Sequence, residues 1–171
     1  CCFDKFLEGI TWVCSRINFY RREGEMKKRV EEEYVQIDSV DWQPFPEDFS
    51  DGGIRWKLLH VSPELGSWTA IFDCPKNSSF ASHIHVGPGE YLLTKGKMEV
   101  RGGKDDGGST ANALGYGYES CNAFHDKTFF PVDSEFYMTF IGPLQFVNDD
   151  GSPKAVVGWE QADALWTSQN A

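Results

Sequence analysis

One stretch, residues 78–103, constrains the fold more than any other; it reads SSFASHIHVGPGEYLLTKGKMEVRGG. In an extended strand alternate side chains share a face, so His83 and His85 point to one side while Ile84 turns away. Two ligands of a metal site are thereby set by local geometry alone. A lone histidine is usually a packing or surface residue, and a second one on the same strand face weakens that reading. The Gly-Pro-Gly at 87–89 signals a turn. The run 90–94 then reads as a strand returning beside the histidine strand, with Gly96 closing the next turn.

The rest of the chain is punctuated in the same way. RWKLLHV, SWTAIFDC, FASHIHV, EYLLTKG and KMEVRGG follow one another at short intervals with turn residues between them, the pattern of an all-β sandwich or barrel. Further strands are expected around 116–119, 127–130, 135–141 and 155–157. QPFPEDF and DGG read as loop, since proline lacks a backbone donor and glycine tolerates positive φ. GGKDDGGST lacks the Gly-Lys-Ser/Thr ending of a phosphate cradle and reads as a mobile hairpin loop. In the tail GWEQADALWTSQ, Trp159, Ala162 and Trp166 fall near one face of a short helix suited to covering a sheet edge.

Length and charge narrow the function classes. At 171 residues the chain is one domain long, with an apolar fraction of 40% that supports a single sizeable core. Its 26 acidic against 16 basic side chains give a net charge of -10, which repels phosphate backbones and anionic membranes, so neither nucleic acid nor membrane is an expected partner. No run approaches the roughly 20 apolar residues of a membrane span. Cys1, Cys2, Cys14, Cys74 and Cys121 are odd in number and show no CxxC spacing, which points to reduced thiols in a cytoplasmic protein. The first 14 residues have no basic start and make a poor signal peptide. Residues 1–25 show neither clean alternation nor a sustained helical period and are expected to be a poorly ordered extension on a domain spanning 26–171. The alternative is a short amphipathic helix packed on that domain. MKKRVEEEY, at 26–34, suggests a helical turn or arm.

A third imidazole is available in GYGYESCNAFHDKT, which places His125 forty residues after His85. The His-x-His strand, tight turn, glutamate and apolar strand ending at glycine resemble the first sequence motif of the cupin β-barrels, and His125 stands where the second motif has its histidine. That second motif is degraded here. Ser120 and Asn122 occupy the usual proline and glycine positions, and Phe129 the usual asparagine position. Asparagine can still adopt the left-handed conformation.

A narrower resemblance is to the acetylacetone-cleaving, or diketone-cleaving, dioxygenases within the cupins. It is carried by FSDGGIRWKLLH, SWTAIFDCP, FASHIHVGPGEYLLTKGKMEVRGG, HDKTFFPVDSEFYMTFIGPL and GWEQADALW, and runs from about Glu32 to Trp166. It implies a single cupin (jelly-roll) barrel with short peripheral helices and an Fe(II) centre held by His83, His85 and His125. It also implies a homo-oligomer, with a tetramer as the expected form. Glu90 is left out of the ligand set because the group's site is carboxylate-free, and His60 is assigned a structural or exposed role. Three neutral imidazoles leave the full 2+ charge on a metal, which favours an anionic chelate such as a β-diketone enolate. The implied reaction with O2 cleaves a C–C bond to a carboxylic acid and a 2-oxo aldehyde, acetate and methylglyoxal for acetylacetone.

By the same resemblance Tyr91, Arg101, Glu119 and Thr128 are polar positions near the metal. Glu119 is the leading candidate for orienting an imidazole or steering substrate polarity, through Arg101 and Tyr91, and an ordinary cross-strand ion pair is the alternative. Glu32 is a weaker addition to that network. Phe136 and Phe140 match apolar pocket positions and share parity with Met138, although plain core packing would also explain them. Phe80 matches a pocket position too, but its parity is opposite to that of His83, so it reaches the site only if a bulge intervenes. Two other functions stay open: a non-catalytic cupin binding Zn(II) or a ligand, and a dioxygenase for another enolisable ketone.

Overall fold

The computed structural model describes residues 35–170. The expected extension at 1–25, the arm at 26–34 and Glu32 lie outside the described residues. In chain order the strands are β1 (Gln43–Pro44), β2 (Ser50–Asp51), β3 (Arg55–Ser62), β4 (Ser67–Cys74) and β5 (Ser78–Phe80). Then come β6 (His83–His85), β7 (Gly89–Lys95), β8 (Lys97–Val100), β9 (Ser109–Asn112) and β10 (Gly115–Glu119). The last five are β11 (Ala123–His125), β12 (Thr128–Phe130), β13 (Ser134–Ile141), β14 (Leu144–Val147) and β15 (Pro153–Val157), followed by helix α1 (Trp159–Gln169).

Among the described residues all strand pairings are antiparallel, in three sheets ordered β1-β3-β4-β13-β7-β10, β11-β6-β14-β15 and β2-β5-β12-β8-β9. Their inner faces share one aromatic core, in the manner of an open jelly-roll barrel whose ladders do not close into a continuous cylinder. Period-two burial drives this. On β13, Ser134, Phe136, Met138 and Phe140 are buried while Tyr137 and Ile141 are exposed. The register sets Phe136 opposite Phe72 and Phe140 opposite Trp68, and both pairs stack, with ring centroids 4.9 and 3.9 Å apart. Offset aromatic pairs of this kind add about 1 kcal/mol each beyond the area they bury.

Helix α1 forms where expected. The Gly158 amide donates to Gln161 Oε1 at 2.9 Å to start it, and Ala162 and Trp166 are its buried residues. Trp166 meets the edge of Trp56 at 5.6 Å, and the Trp56 indole N–H donates to Gln169 Oε1 at 3.1 Å. These contacts hold the helix over the β3 end of the large sheet.

Two expectations about the histidine stretch are corrected. FASHIHV is not one strand, because it breaks at Ala81–Ser82 into β5 and β6, which belong to different sheets. The strand after Gly-Pro-Gly does not return beside the histidines either: β6 pairs with β11 and β14, whereas β7 pairs with β10 and β13. The reason is steric. A Cβ on Gly87 would sit 1.7 Å from the Ile141 carbonyl oxygen, and the Val86 and Ile141 amides donate to Pro143 O and Pro88 O. Residues 86–88 are therefore clamped to the β13–β14 connection, and the chain turns a corner between sheets instead of forming a hairpin. The strand β14 (LQFV) and the two-residue strands within QPFPEDFSD also went unforeseen.

Candidate metal centre

The site grows out of the β6 pairings. In the β6–β11 ladder His125 lies directly opposite His83, and Ala123 opposite His85. Paired residues of an antiparallel ladder project to the same face, so the third imidazole joins the first two with no contribution from a loop. One ring nitrogen from each of His83, His85 and His125 lies within 4.8 Å of the others, and all three residues are buried. Bonds from imidazole nitrogen to a divalent ion are about 2.1 Å long, so small rotations bring the three nitrogens onto a shared ion.

Hydrogen bonds select which nitrogens face inward. The break at Ala81 leaves its carbonyl outside any ladder, and His83 Nδ1 donates to it at 2.7 Å, which leaves His83 Nε2 free as a ligand. On the opposite strand His125 Nε2 lies 3.0 Å from Glu119 Oε2, which fixes the orientation of that ring. Burial lowers the His83 pKa to about 4, with His125 adding to the effect against the opposing Ala81 bond and Glu119 charge. Burial also lowers His85 to about 3, reinforced by His83 and His125. The His83 and His85 rings are thus neutral at pH 7, the state in which imidazole binds a metal. Three clustered, buried imidazole donors with no carboxylate in the group fit a divalent cation.

A small cavity opens above the histidines. Its walls are aromatic, with Phe80, Phe136 and Phe140 all lining it. Phe140 lies nearly parallel to His85 at 6.2 Å. Phe80 gets there through the strand break rather than a bulge, because the interruption at Ala81–Ser82 resets the alternation. Trp68, Leu144 and Phe146 line the same space and were missed from the sequence. The alternation of Leu144 and Phe146 in LQFV was the available signal, and Phe146 packs 5.6 Å from His83.

The polar residues divide. Tyr91, Glu119 and Thr128 line the cavity. Thr128 is buried and its hydroxyl has no partner in the protein, so it can hydrogen-bond to a cavity occupant. Burial raises the Tyr91 pKa, with Glu119 adding to it, and the phenol stays protonated. Arg101 is not brought to the cavity. It follows the end of β8 with φ of 53°, a left-handed turn that carries its exposed side chain out, and its guanidinium donates to Phe124 O and Ser109 Oγ at 3.4 Å. From there it braces the residue before His125 rather than touching Glu119. Glu90 and His60 are exposed, and Glu90 accepts a bond from Tyr116 on the outer face. Asn122 adopts φ of 62°, so asparagine does supply the left-handed turn that precedes β11.

A family model described as the ChrR cupin-like domain matches residues 30–145. The chain belongs to this family. This cupin is 65% identical over 140 residues to an acetylacetone-cleaving enzyme of Acinetobacter johnsonii, covering 82% of this chain and 92% of the relative. The crystal structure of an acetylacetone dioxygenase from Acinetobacter johnsonii superimposes with a TM-score of 0.78 at 64% identity, over 81% of this chain and 93% of that one. A candidate acetylacetone dioxygenase from Methylibium petroleiphilum gives a TM-score of 0.77 at 76% identity, over 79% and 94% of the two chains. An RmlC-like cupin of Ralstonia eutropha shares the fold alone, at 17% identity and a TM-score of 0.68 over 78% of this chain and 83% of that one. The cupin fold expected from the two histidine segments is therefore the fold of this chain. Among the described residues no helix is long and apolar enough to cross a membrane.

Proposed function

We propose that this protein is an Fe(II)-dependent dioxygenase that cleaves a C–C bond of β-diketones such as acetylacetone, yielding acetate and methylglyoxal in that case. The observation that carries the reading is the trio of buried, clustered imidazoles beneath an aromatic cavity. The 65% identity to an acetylacetone-cleaving enzyme supports it. His83, His85 and His125 are the proposed ligands. When bound, iron supplies an uncompensated 2+ charge for the two oxygens of an enolate and a redox centre for O2. The protein's part is to hold and orient. Phe80, Phe136 and Phe140 wall the space against the apolar ends of a small diketone. Thr128 Oγ1 supplies a hydrogen bond to the substrate. Glu119 fixes the His125 ring, and the Tyr91 phenol keeps its proton beside Glu119.

The overall reaction consumes one O2 per diketone, and both oxygen atoms end in the two products. Oxygen uptake by iron-loaded protein of known metal content, across a panel of 1,3-diketones, tests the reading. One equivalent of O2 per acetylacetone, with equimolar acetate and methylglyoxal, is the expected result; no uptake with any diketone ends the proposal.

The free thiols of Cys74 and Cys121 fit a cytoplasmic setting. A homo-oligomer, a tetramer, also belongs to this reading. Leu92, Tyr116, Tyr118 and Tyr137 lie exposed on the outer face at the β10 edge, a site for self-association that sedimentation of the purified chain checks.

A further inference from the structure

Strand β10 reads GYGYE, with its small residues turned inward and its aromatic ones outward. Glycines sit at 115 and 117, on the same side as the cavity-lining Glu119, while Tyr116 and Tyr118 face solvent, 67% and 58% exposed. A glycine inside a strand weakens it and commonly marks a place where another group must come close. At Gly117 that group is identifiable. The β7–β10 register sets Tyr91 directly opposite Gly117, and a Cβ at 117 would lie 2.1 Å from Tyr91 Cζ, 2.2 Å from Cε1 and 2.4 Å from the hydroxyl oxygen. The far end of the phenol ring therefore occupies the volume that any other residue's side chain would fill.

The other side of the ring is also bounded, since Phe136 meets Tyr91 edge-on at 6.4 Å. Two residues beyond Gly117 on the same strand face is Glu119, whose carboxylate lies 3.0 Å from His125 Nε2. Tyr91, Gly117, Glu119 and His125 thus form a chain of contacts or close neighbours from the edge of the large sheet to the histidine cluster.

We infer that Gly117 is a positioning residue: its missing side chain is the slot that seats the Tyr91 ring at the cavity wall beside Glu119. This deepens the proposed dioxygenase reading and rests on it for its effect on turnover, although the seating of the ring does not. A methyl group at 117 has to displace the ring, because the atoms in its way are the movable end of a side chain rather than backbone. The strand survives while the phenol leaves its place. Displacement of an active-site group by about 1 Å lowers rates by up to a hundredfold.

The test is a cycle of iron-loaded wild type, G117A, Y91A and Y91A/G117A, read by kcat and KM for acetylacetone and by the crystal structure of G117A. The expected result is a tenfold or greater fall in kcat/KM for G117A, with iron content unchanged and the Tyr91 ring moved off residue 117. In the Y91A background the same substitution changes kcat/KM by less than twofold, because the slot is already vacant. Should G117A fail to fold while Y91A/G117A folds, the clash with the ring is established directly. Equal losses from G117A in both backgrounds, failure of both variants to fold, or a G117A structure with Tyr91 unmoved would overturn the inference. If wild type takes up no oxygen with acetylacetone, the dioxygenase reading falls and the crystal structure of G117A alone judges the seating of Tyr91.

Discussion

Consider the metal-free protein carried from pH 7.5 to pH 4.5. His83 and His85 ordinarily titrate at 6.5, and in the folded chain burial holds them down to about 4 and about 3. The unfolded chain therefore binds protons that the folded chain refuses, so stability is full above pH 6.5 and falls as the pH drops toward the folded values. At pH 4.5 the difference amounts to about 2.5 kcal/mol for each imidazole. Part of each shift is repulsion between the rings, so the joint loss stays below about 5 kcal/mol. Urea unfolding of chelator-stripped protein at the two pH values measures it, with H85Q as the control that lacks one buried imidazole. The stability of H85Q should fall by about 2.5 kcal/mol less than that of wild type across the same interval. An identical fall in the two proteins would refute the claim that the buried imidazoles carry the acid sensitivity. Bound metal should make the wild type's loss steeper, because protons then compete with the ion for the same nitrogens.

Phe140 is 5% exposed, stacks on Trp68 at 3.9 Å and lies along His85, so F140A should lower stability by about 3 kcal/mol in urea unfolding and raise KM for small diketones. E119Q keeps an acceptor for the His125 ring and removes the charge; a fall in kcat/KM of roughly tenfold with little loss of iron is expected, checked by steady-state kinetics on metal-assayed protein. Because Asn122 holds φ of 62°, N122A should destabilise the protein by about 1 kcal/mol while N122G is neutral or better, and thermal melting of the two variants reads the difference.

Much of the fold was legible along the chain. Period-two burial on β13, the turn residues around the histidines and the helical spacing of Ala162 and Trp166 are local properties, so they survive translation into a linear pattern. The same holds for His83 and His85, whose common direction follows from strand geometry two residues apart. Even the exchange of glycine for asparagine at 122 is a backbone matter that residue type alone can answer.

What the linear pattern could not reach was partnership. Whether β6 lies beside β7 or beside β11 and β14 depends on the Gly87 corner being clamped by Ile141 and Pro143, more than fifty residues away along the chain. That pairing puts His125 opposite His83, while the break at Ala81–Ser82 between two sheets frees the Ala81 carbonyl for His83 Nδ1 and turns Phe80 inward despite its parity. Arg101 went astray for the same reason, since a single left-handed residue at a strand end redirects a long side chain and its type does not announce it. Alternation along one strand is a short-range consequence of backbone geometry, whereas the choice of neighbouring strand is settled by steric and hydrogen-bonding contacts between segments distant in the chain.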